Sequence, residues 1–384
     1  MGRHYGMDWL RIGAFGLLIF YHIGLVFVHW AYHAKTAHPM PWVAVPLQAI
    51  NAWRLPLLFL VSGYASRAIF TGDKRAGTFT WNRTKRLIPP LLFGVIVIVP
   101  VQPWIELVTQ HGYNRDFLTF WTRDYFRFGT LGGIALPTWQ HLWFVGYLWV
   151  YTVVLAILLT LLPVHFTSAL SRWADSVLSG PLILALPIAL LIGNWIWIYP
   201  GARETHGFID DWPVHRVYFA MFLFGFLLRK SAAVWAAIRR WWRWAAVLAV
   251  GGYAVVASIE IAYLGPYLPS RALWFWFGVA RAVQSWGAIV ALIGIADRYL
   301  NHDHRLRPML TEAVFPFYLI HQTIIVLVAG ELLAFGLPPL AEFAIILAAT
   351  ITGCWAFYRI GREIGWLRPL IGLRTRLSRP AAAI

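Results

Sequence analysis

Residues 9–29 read WLRIGAFGLLIFYHIGLVFVH, a long apolar stretch close to the start of the chain. A membrane-spanning helix needs about 20 mostly apolar residues to cross about 30 Å of hydrocarbon. The stretch carries His22 and lacks a clear small-x-small cleavage site, so we interpret it as a retained first transmembrane helix rather than as a signal peptide.

The remaining sequence repeats this pattern. Apolar residues make up 60% of the chain and charged residues only 12%, and the mean hydropathy is +0.63. A soluble protein needs roughly 25% charged residues to cover its surface. Further candidate spans lie near 49–70, 87–105, 141–162, 181–199, 213–229, 244–264, 273–296, 313–329 and 339–358. The sequence therefore predicts an all-α, polytopic integral membrane protein of about ten transmembrane helices, of which the sixth, 213–229, has the shortest apolar core.

Basic residues orient these helices. If the N-terminus is inside, the inner segments hold 22 Lys and Arg residues and the outer segments hold 7. Because positive residues concentrate on the cytoplasmic side, we predict a bacterial inner-membrane protein with both termini in the cytoplasm. A net charge of +16 also occurs in nucleic-acid-binding proteins. Here the basic residues lie in short clusters between apolar runs, so the expected partner is the lipid bilayer and not a nucleic acid.

No soluble domain fits between the predicted spans, and we expect residues 1–384 to form a single membrane-embedded domain. The longest loop, about 106–140, mixes charged and aromatic residues and is expected to lie at the interface as a lid or as short helices. The single cysteine, Cys354, excludes a disulfide within the chain and a thiolate-rich metal site. No metal and no permanently bound cofactor are expected.

Arg11 and His22 form the first candidate site. Their spacing of 11 residues corresponds to about 1100° of helix, roughly 20° past three turns, so both project from one face. Burying an ionisable group in a membrane helix costs several kcal/mol, which favours a functional pair. The alternative is that Arg11 extends to the interface and His22 only packs between helices. Asp8 can pair with Arg11 or cap the helix.

A second candidate site lies in residues 81–90, WNRTKRLIPP, at the predicted cytoplasmic entry of the third helix. Arg83 and Arg86 are three residues apart and share a face if the segment is helical. Two guanidiniums in this arrangement suit the phosphates of a nucleotide-like donor. The alternative is that the cluster only orients the helix in the membrane.

Residues 54–64, RLPLLFLVSGY, place Arg54 inside the second helix. Arg54 needs a partner there, which is either a carboxylate or a substrate anion. Gly63 allows a close approach of another helix. Ser62 and Tyr64 are candidate substrate-binding donors that could stabilise an oxyanion.

Residues 137–144, PTWQHLWF, place His141 between Trp139 and Trp143 on the predicted outer side. Aromatic residues at that depth usually form the interfacial belt, although an aromatic and polar surface also suits sugar rings. His321 lies mid-helix and is interpreted equally well as a packing residue or as a site residue. We include all four as candidate substrate-binding residues.

The ordered set of Arg-x10-His in the first helix, Phe-x-x-Ser-Gly-Tyr in the second and Arg-x-x-Arg at the third resembles the acyltransferase family 3 membrane proteins. MDWLR at 7–11, RLPLLFLVSG at 54–63 and HLWF at 141–144 are most similar to the branch of periplasmic glucan succinyltransferases. The resemblance covers almost the whole chain. It implies an acyl-CoA donor from the cytoplasm and a sugar-hydroxyl acceptor outside. It also implies functional roles at Arg11, His22, Arg83 and Arg86.

The residues and the resemblance together predict an O-acyltransferase that moves a succinyl or acetyl group from acyl-CoA to an extracytoplasmic glycan. Arg83 and Arg86, with Arg11, would hold the phosphates of the donor. His22 would act as the general base, which we favour, or would take the acyl group itself. His321 is a further candidate for stabilising the oxyanion.

Two other classes of protein fit part of the pattern. A carrier or flippase for an anionic lipid or sugar intermediate explains the helices and the buried Arg54 and Arg281, and it consumes no acyl-CoA. A structural partner in an envelope assembly predicts that the buried charges tolerate replacement.

Overall fold

The computed structural model describes residues 4–70, 76–197, 204–265 and 269–375. Those residues are almost entirely helical. The helices are α1 (Tyr5–Phe27), α2 (Ala44–Asn51), α3 (Arg54–Ile69), α4 (Ala76–Phe93), α5 (Val101–Gln110), α6 (Phe117–Thr119), α7 (Trp143–Leu161), α8 (Val164–Val177), α9 (Leu182–Trp197), α10 (Trp212–Leu228), α11 (Ala232–Ala262), α12 (Arg271–Tyr299), α13 (Arg307–Leu332), α14 (Pro339–Glu363) and α15 (Leu367–Leu370). A single two-stranded hairpin, β1 (Gly129–Leu131) and β2 (Ile134–Leu136), completes the described secondary structure.

The predicted fold class is confirmed. Eight helical stretches of the described chain are long and apolar enough to cross a membrane, and the count rises to nine if α8 and α9, bent by 107°, form one span. The sixth predicted span, 213–229, corresponds to α10, a shorter apolar helix that is not among these eight or nine. This is the stretch whose apolar core the sequence predicts to be the shortest. The chain is therefore a multi-pass, all-α membrane protein.

The chain divides into two compact units. The first unit contains the described parts of 1–24, 40–81 and 150–307, and the second contains those of 25–39, 82–149 and 308–384.

Glycine residues allow close helix packing in the first unit. A side chain at Gly63 of α3 would overlap the carbonyl oxygen of Phe222 in α10, and one at Gly225 of α10 would overlap that of Leu60 in α3. The two helices therefore touch backbone to backbone, as small residues permit in membrane proteins. This contact fixes α3, the helix that begins with Arg54.

The second unit contains α5, α13 and α14 together with the predicted lid. Pro89 and Pro90 lie inside α4, and a π-helical turn, Gly94–Ile98, follows. Proline removes a backbone donor and clashes with the preceding turn, so it distorts a helix at this kind of position. The altered turn presents the Ile98 carbonyl oxygen to the Thr323 hydroxyl of α13 at 3.1 Å.

The segment predicted as a lid, about 106–140, contains short helical turns as expected and also the hairpin, which the sequence does not predict. Gly132 and Gly133 form the turn with positive φ values of 56° and 82°, which suits a two-residue hairpin loop. Asp124, in the same segment, is buried and accepts hydrogen bonds from the Tyr113 hydroxyl at 2.6 Å and from Arg115 at 3.5 Å. Burial and the Asp124 carboxylate raise the pKa of Tyr113 to about 12, so this hydroxyl remains a donor at neutral pH.

Candidate functional site

Helix α1 carries the first pair of predicted site residues. It is unbroken from Tyr5 to Phe27, so Arg11 and His22 do project from one face, as their spacing predicts. Both side chains are partly exposed. Asp8 accepts a hydrogen bond from Nη1 of Arg307 at 3.1 Å. Arg307 is thus a cationic partner of Asp8 that the sequence does not predict.

The most unusual residue of the first unit is Arg54, which is 2% exposed. Its guanidinium carbon lies 3.8 Å from the centroid of the Tyr21 ring, and the Tyr21 and His22 rings are 5.7 Å apart. Within the described part of the chain, Nε and Nη1 of Arg54 have no hydrogen-bond acceptor, and no carboxylate forms an ion pair with the guanidinium. A buried cation with open donors is costly unless an anion joins it. The structure thus places a buried guanidinium with open donors against Tyr21, the residue that precedes His22 in α1.

Arg281, another arginine inside a predicted helix, is bound differently. Its Nη1 donates to Oε1 of Gln48 at 2.5 Å, and Nε2 of Gln48 donates to the Glu260 carboxylate at 3.0 Å. Gln284 supports this group by donating to the Gln48 carbonyl oxygen at 2.9 Å. Arg281 therefore belongs to a hydrogen-bonded chain within the first unit, whereas Nε and Nη1 of Arg54 have no acceptor among the described residues.

Tyr64 lies far from His22 within the first unit. Its ring centroid is 6.4 Å from that of His4, and the guanidinium of Arg229 lies 4.7 Å from the centroid of the Tyr64 ring. His4 precedes His22 by 18 residues, which is about 27 Å along a helix axis. Ser62 is partly exposed and lies two residues before Tyr64 on α3. At this separation the Tyr64 hydroxyl is too far away to donate a hydrogen bond to an oxyanion formed beside His22.

The second unit contains the predicted donor-binding pair. Helix α4 is continuous through residues 83–86, so Arg83 and Arg86 share a face. Arg83 is buried and Arg86 is exposed. Arg374, which follows α15, lies close enough to Arg86 for the two charges to repel each other. Sequence reasoning did not include Arg374, because nothing in its local sequence indicates that the chain returns to α4.

His141 and His321 come together in the second unit, with ring centroids 5.2 Å apart at 85°. Nε2 of His141 lies 3.1 Å from the Tyr318 carbonyl oxygen, and its Nδ1 lies 3.4 Å from Nε2 of Gln102. His321 is held by the same carbonyl oxygen, 2.8 Å from its Nδ1. His141 is therefore donor at Nε2 and acceptor at Nδ1, inside a polar network that continues to Gln322.

The two tryptophans differ in their surroundings. Trp143 is buried and packs edge-on against Tyr147, with ring centroids 5.0 Å apart. Trp139 is partly exposed. Of the two, Trp139 is therefore the more accessible to a sugar ring. Among the residues that the structure describes, no three His, Cys, Asp or Glu side chains are grouped so as to hold a metal ion.

One ionisable pair of the second unit is not predicted by the sequence. Nδ1 of His33, in the segment after α1, lies 2.5 Å from the Glu106 carboxylate of α5. The two residues are 73 positions apart, and neither belongs to a recognisable motif, so only the folded chain reveals the pair.

A family model described as an acyltransferase domain, that of acyltransferase family 3, matches residues 4–359. Glucans biosynthesis protein C of Salmonella paratyphi B and of Salmonella heidelberg are each 28% identical to this chain over 155 residues. The similar stretch covers 40% of this chain and 38% of each relative. No solved structure matches the chain.

Proposed function

This chain belongs to acyltransferase family 3, and on that premise we propose that it transfers an acyl group from cytoplasmic acyl-CoA to a hydroxyl of an extracytoplasmic glycan. The relatives are named for glucan biosynthesis, which supports a glycan as the acceptor. The distribution of 22 inner and 7 outer basic residues supports cytoplasmic termini and a bacterial inner-membrane location. The donor then arrives at the membrane face where Arg83 and Arg86 lie.

The observation that carries this proposal is Arg54, a fully buried guanidinium that lies over the ring of Tyr21, the residue before His22. Transfer from a thioester develops negative charge on the carbonyl oxygen, and a preorganised cation stabilises such charge strongly in a water-poor site. A dicarboxylic acyl group such as succinyl would also present a carboxylate to this cation. Either anion satisfies donors that the protein leaves open.

His22 is the reacting imidazole in this mechanism. As a general base it takes the proton of the acceptor hydroxyl while the oxygen attacks the thioester carbonyl. The carbon–sulfur bond breaks and the CoA thiolate leaves with the electron pair, then receives a proton. In the alternative, His22 itself takes the acyl group and passes it to the hydroxyl. We favour the general base, because neutral imidazole suits that role.

The donor phosphates are assigned to Arg83 and Arg86, with Arg11 and now Arg374 as further cations. The charges of Arg86 and Arg374 repel each other, and a bound polyanion would relieve that repulsion. On the acceptor side, Trp139, Trp143 and the His141–His321 pair remain the proposed glycan-binding residues.

Replacing Arg86 by alanine is expected to raise the KM for acyl-CoA several-fold with little change in kcat, because an exposed charge–phosphate contact contributes to binding and is screened by salt. The measurement is the initial rate of CoA release at low and high salt. Lys85→Ala is the matched control, since it removes an adjacent charge from another side of the helix. A KM unchanged by Arg86→Ala at low salt would assign this cluster to orientation of the helix alone.

Replacing Arg54 by methionine is expected to lower acyl transfer roughly ten- to a hundredfold, the effect of losing a hydrogen bond to a charged group. It should also maintain or raise the Tm, since an apolar side chain replaces an uncompensated buried charge. Arg281→Met is the contrasting variant and should lower the Tm, because Gln48 loses the donor to its Oε1 that orients its amide toward Glu260. Thermal unfolding and transfer rates in detergent test both effects. An Arg54→Met protein with normal activity and a lowered Tm would give Arg54 a purely structural role.

A carrier for an anionic lipid or sugar intermediate is the second candidate, because an open buried cation would also bind a transported anion. The transferase consumes acyl-CoA, whereas the carrier does not. Membranes containing the protein are incubated with radiolabelled acetyl- or succinyl-CoA, and label in extracytoplasmic glycan is counted. Labelled glycan and released CoA support the transferase. Anion transport without CoA release from these or other acyl-CoA donors would support the carrier.

A further inference from the structure

The His33–Glu106 pair involves the middle residue of a polar stripe on α5. Gln102, Glu106 and Gln110 follow one another at intervals of four residues, so they lie along one side of an otherwise apolar helix. Each makes a defined contact within the second unit. Gln102 donates to the Thr323 hydroxyl at 2.8 Å, and Glu106 binds His33. A stripe of three satisfied polar side chains is unusual in an apolar helix, and the pair lies between its buried end, Gln102, and its exposed end, Gln110.

The segment that carries His33 is firmly held. Nε2 of Gln110 donates to the carbonyl oxygens of Tyr32 at 3.0 Å and of His33 at 2.9 Å. Nζ of Lys35 donates to the carbonyl oxygens of Leu25 at 2.7 Å and Val28 at 2.8 Å, closing the end of α1. The ring of His33 is therefore presented in a fixed position, as a binding group requires.

One nitrogen of His33 is still open. Nδ1 lies against Glu106, which fixes the tautomer with the proton on Nδ1 and the lone pair on Nε2. Among the described residues, Nε2 has no hydrogen-bond partner. The His33 side chain is 13% exposed and that of Glu106 is 21% exposed, so the pair is accessible from its surroundings. A contact needed only to fasten the segment to α5 would not require the open nitrogen.

The pair is also connected to residues already assigned to the acceptor. His33 lies close enough to His141 for their charges to interact, and His141 contacts Gln102 of the same stripe. In the predicted orientation the segment after α1 is extracytoplasmic, the side from which a glycan would arrive.

We propose that the His33–Glu106 pair is a subsite for the carbohydrate acceptor, in which Nε2 of His33 accepts a hydrogen bond from a sugar hydroxyl. Glu106 orients the ring and Gln110 fixes its backbone. This inference rests on the proposed function in its choice of a glycan ligand. His33 binds and positions the sugar, whereas the group transfer remains with His22.

The test separates a sugar-binding role from a fastening role by a choice of isosteres. In His33→Asn, the amide nitrogen takes the place of Nδ1 and keeps the bond to Glu106, but nothing occupies the place of Nε2. In His33→Gln, the amide reaches the place of Nε2 and should restore part of the binding. His29→Asn is the matched control, because His29 is an exposed histidine of the same segment.

Two readouts are measured with purified protein in nanodiscs, using short glucose oligomers of defined linkage as the probe. The first is equilibrium binding of a fluorescent oligomer without donor, and the second is the KM for donor and for acceptor. We expect His33→Asn to weaken oligomer binding and raise the acceptor KM about three- to tenfold, the effect of one lost hydrogen bond, with the donor KM unchanged. His29→Asn should match the wild type.

The outcomes keep this inference distinct from the proposed function. Wild-type binding in His33→Asn, or no binding of any glucose oligomer to the wild-type protein, would overturn the subsite. If no acyl-CoA supports transfer but His33→Asn still weakens oligomer binding, the transferase proposal fails and the subsite stands.

Discussion

Replacing His22 by alanine is expected to lower acyl transfer by about 10²–10⁴-fold, the contribution of a positioned general acid–base group. His22 lies on the unbroken helix α1, directly after the Tyr21 ring that Arg54 covers. No other imidazole is described on α1, so nothing on that helix could take over its proton. The measurement is transfer of label from acyl-CoA to extracytoplasmic glycan in membranes with matched amounts of inserted protein.

Controls make this result specific. His38→Ala removes an exposed histidine and should leave transfer unchanged. Rapid quenching followed by peptide mass spectrometry distinguishes the two roles of His22. An acylated His22 peptide, with a burst of CoA release before any acceptor is added, indicates an acyl carrier. Absence of both in an active enzyme indicates the general base. Normal turnover by correctly inserted His22→Ala protein would remove His22 from the site altogether.

Hydropathy predicted the positions of the spans well because lipid exposure dictates composition over some 20 residues at a time. It predicted their ends less well. Helix α11 begins at Ala232, whereas the apolar stretch begins near residue 244. The intervening turns of α11 contain Arg239, Arg240 and Arg243. There the backbone hydrogen bonds of the helix continue although these side chains are too polar for hydrocarbon. A hydropathy window detects the apolar part of a helix and not its full length.

The candidate site was predictable where one helix carries it and not where distant segments meet. The shared face of Arg11 and His22 follows from spacing alone, and the burial of Arg54 follows from its place in an apolar run. The contact of Arg54 with Tyr21 does not follow, since it depends on how α1 and α3 pack. The contact between His33 and Glu106 likewise depends on packing and does not follow from the sequence. For the same reason the sequence offers Tyr64 as an oxyanion donor, although α3 carries it toward His4 and away from His22.

Replacing Gly225 or Gly63 by alanine is expected to destabilise the protein by about 3 kcal/mol or more, a large share of the 5–15 kcal/mol that ordinarily stabilises a folded protein. A methyl group at Gly225 would overlap the carbonyl oxygen of Leu60, and one at Gly63 that of Phe222. Both obstacles are backbone atoms, so no side-chain rotation relieves them and α3 must separate from α10. Loss of folded protein is measured by thermal unfolding in detergent and by the yield of monodisperse protein.

Two glycines of α11 supply the control. Glycine is intrinsically unfavourable in a helix, so replacing it by alanine should stabilise the helix wherever the methyl group meets no other atom. A methyl group at Gly251 would meet no atom within 4 Å, whereas one at Gly252 would lie 2.7 Å from the Ala280 carbonyl oxygen. Gly251→Ala should therefore be neutral or stabilising by up to about 1 kcal/mol. Because α3 begins with Arg54, any Gly225→Ala protein that still folds should also lose acyl transfer, since a displaced α3 moves the guanidinium from Tyr21. A Gly225→Ala protein with the wild-type Tm and activity would show that α3 and α10 do not make this close contact.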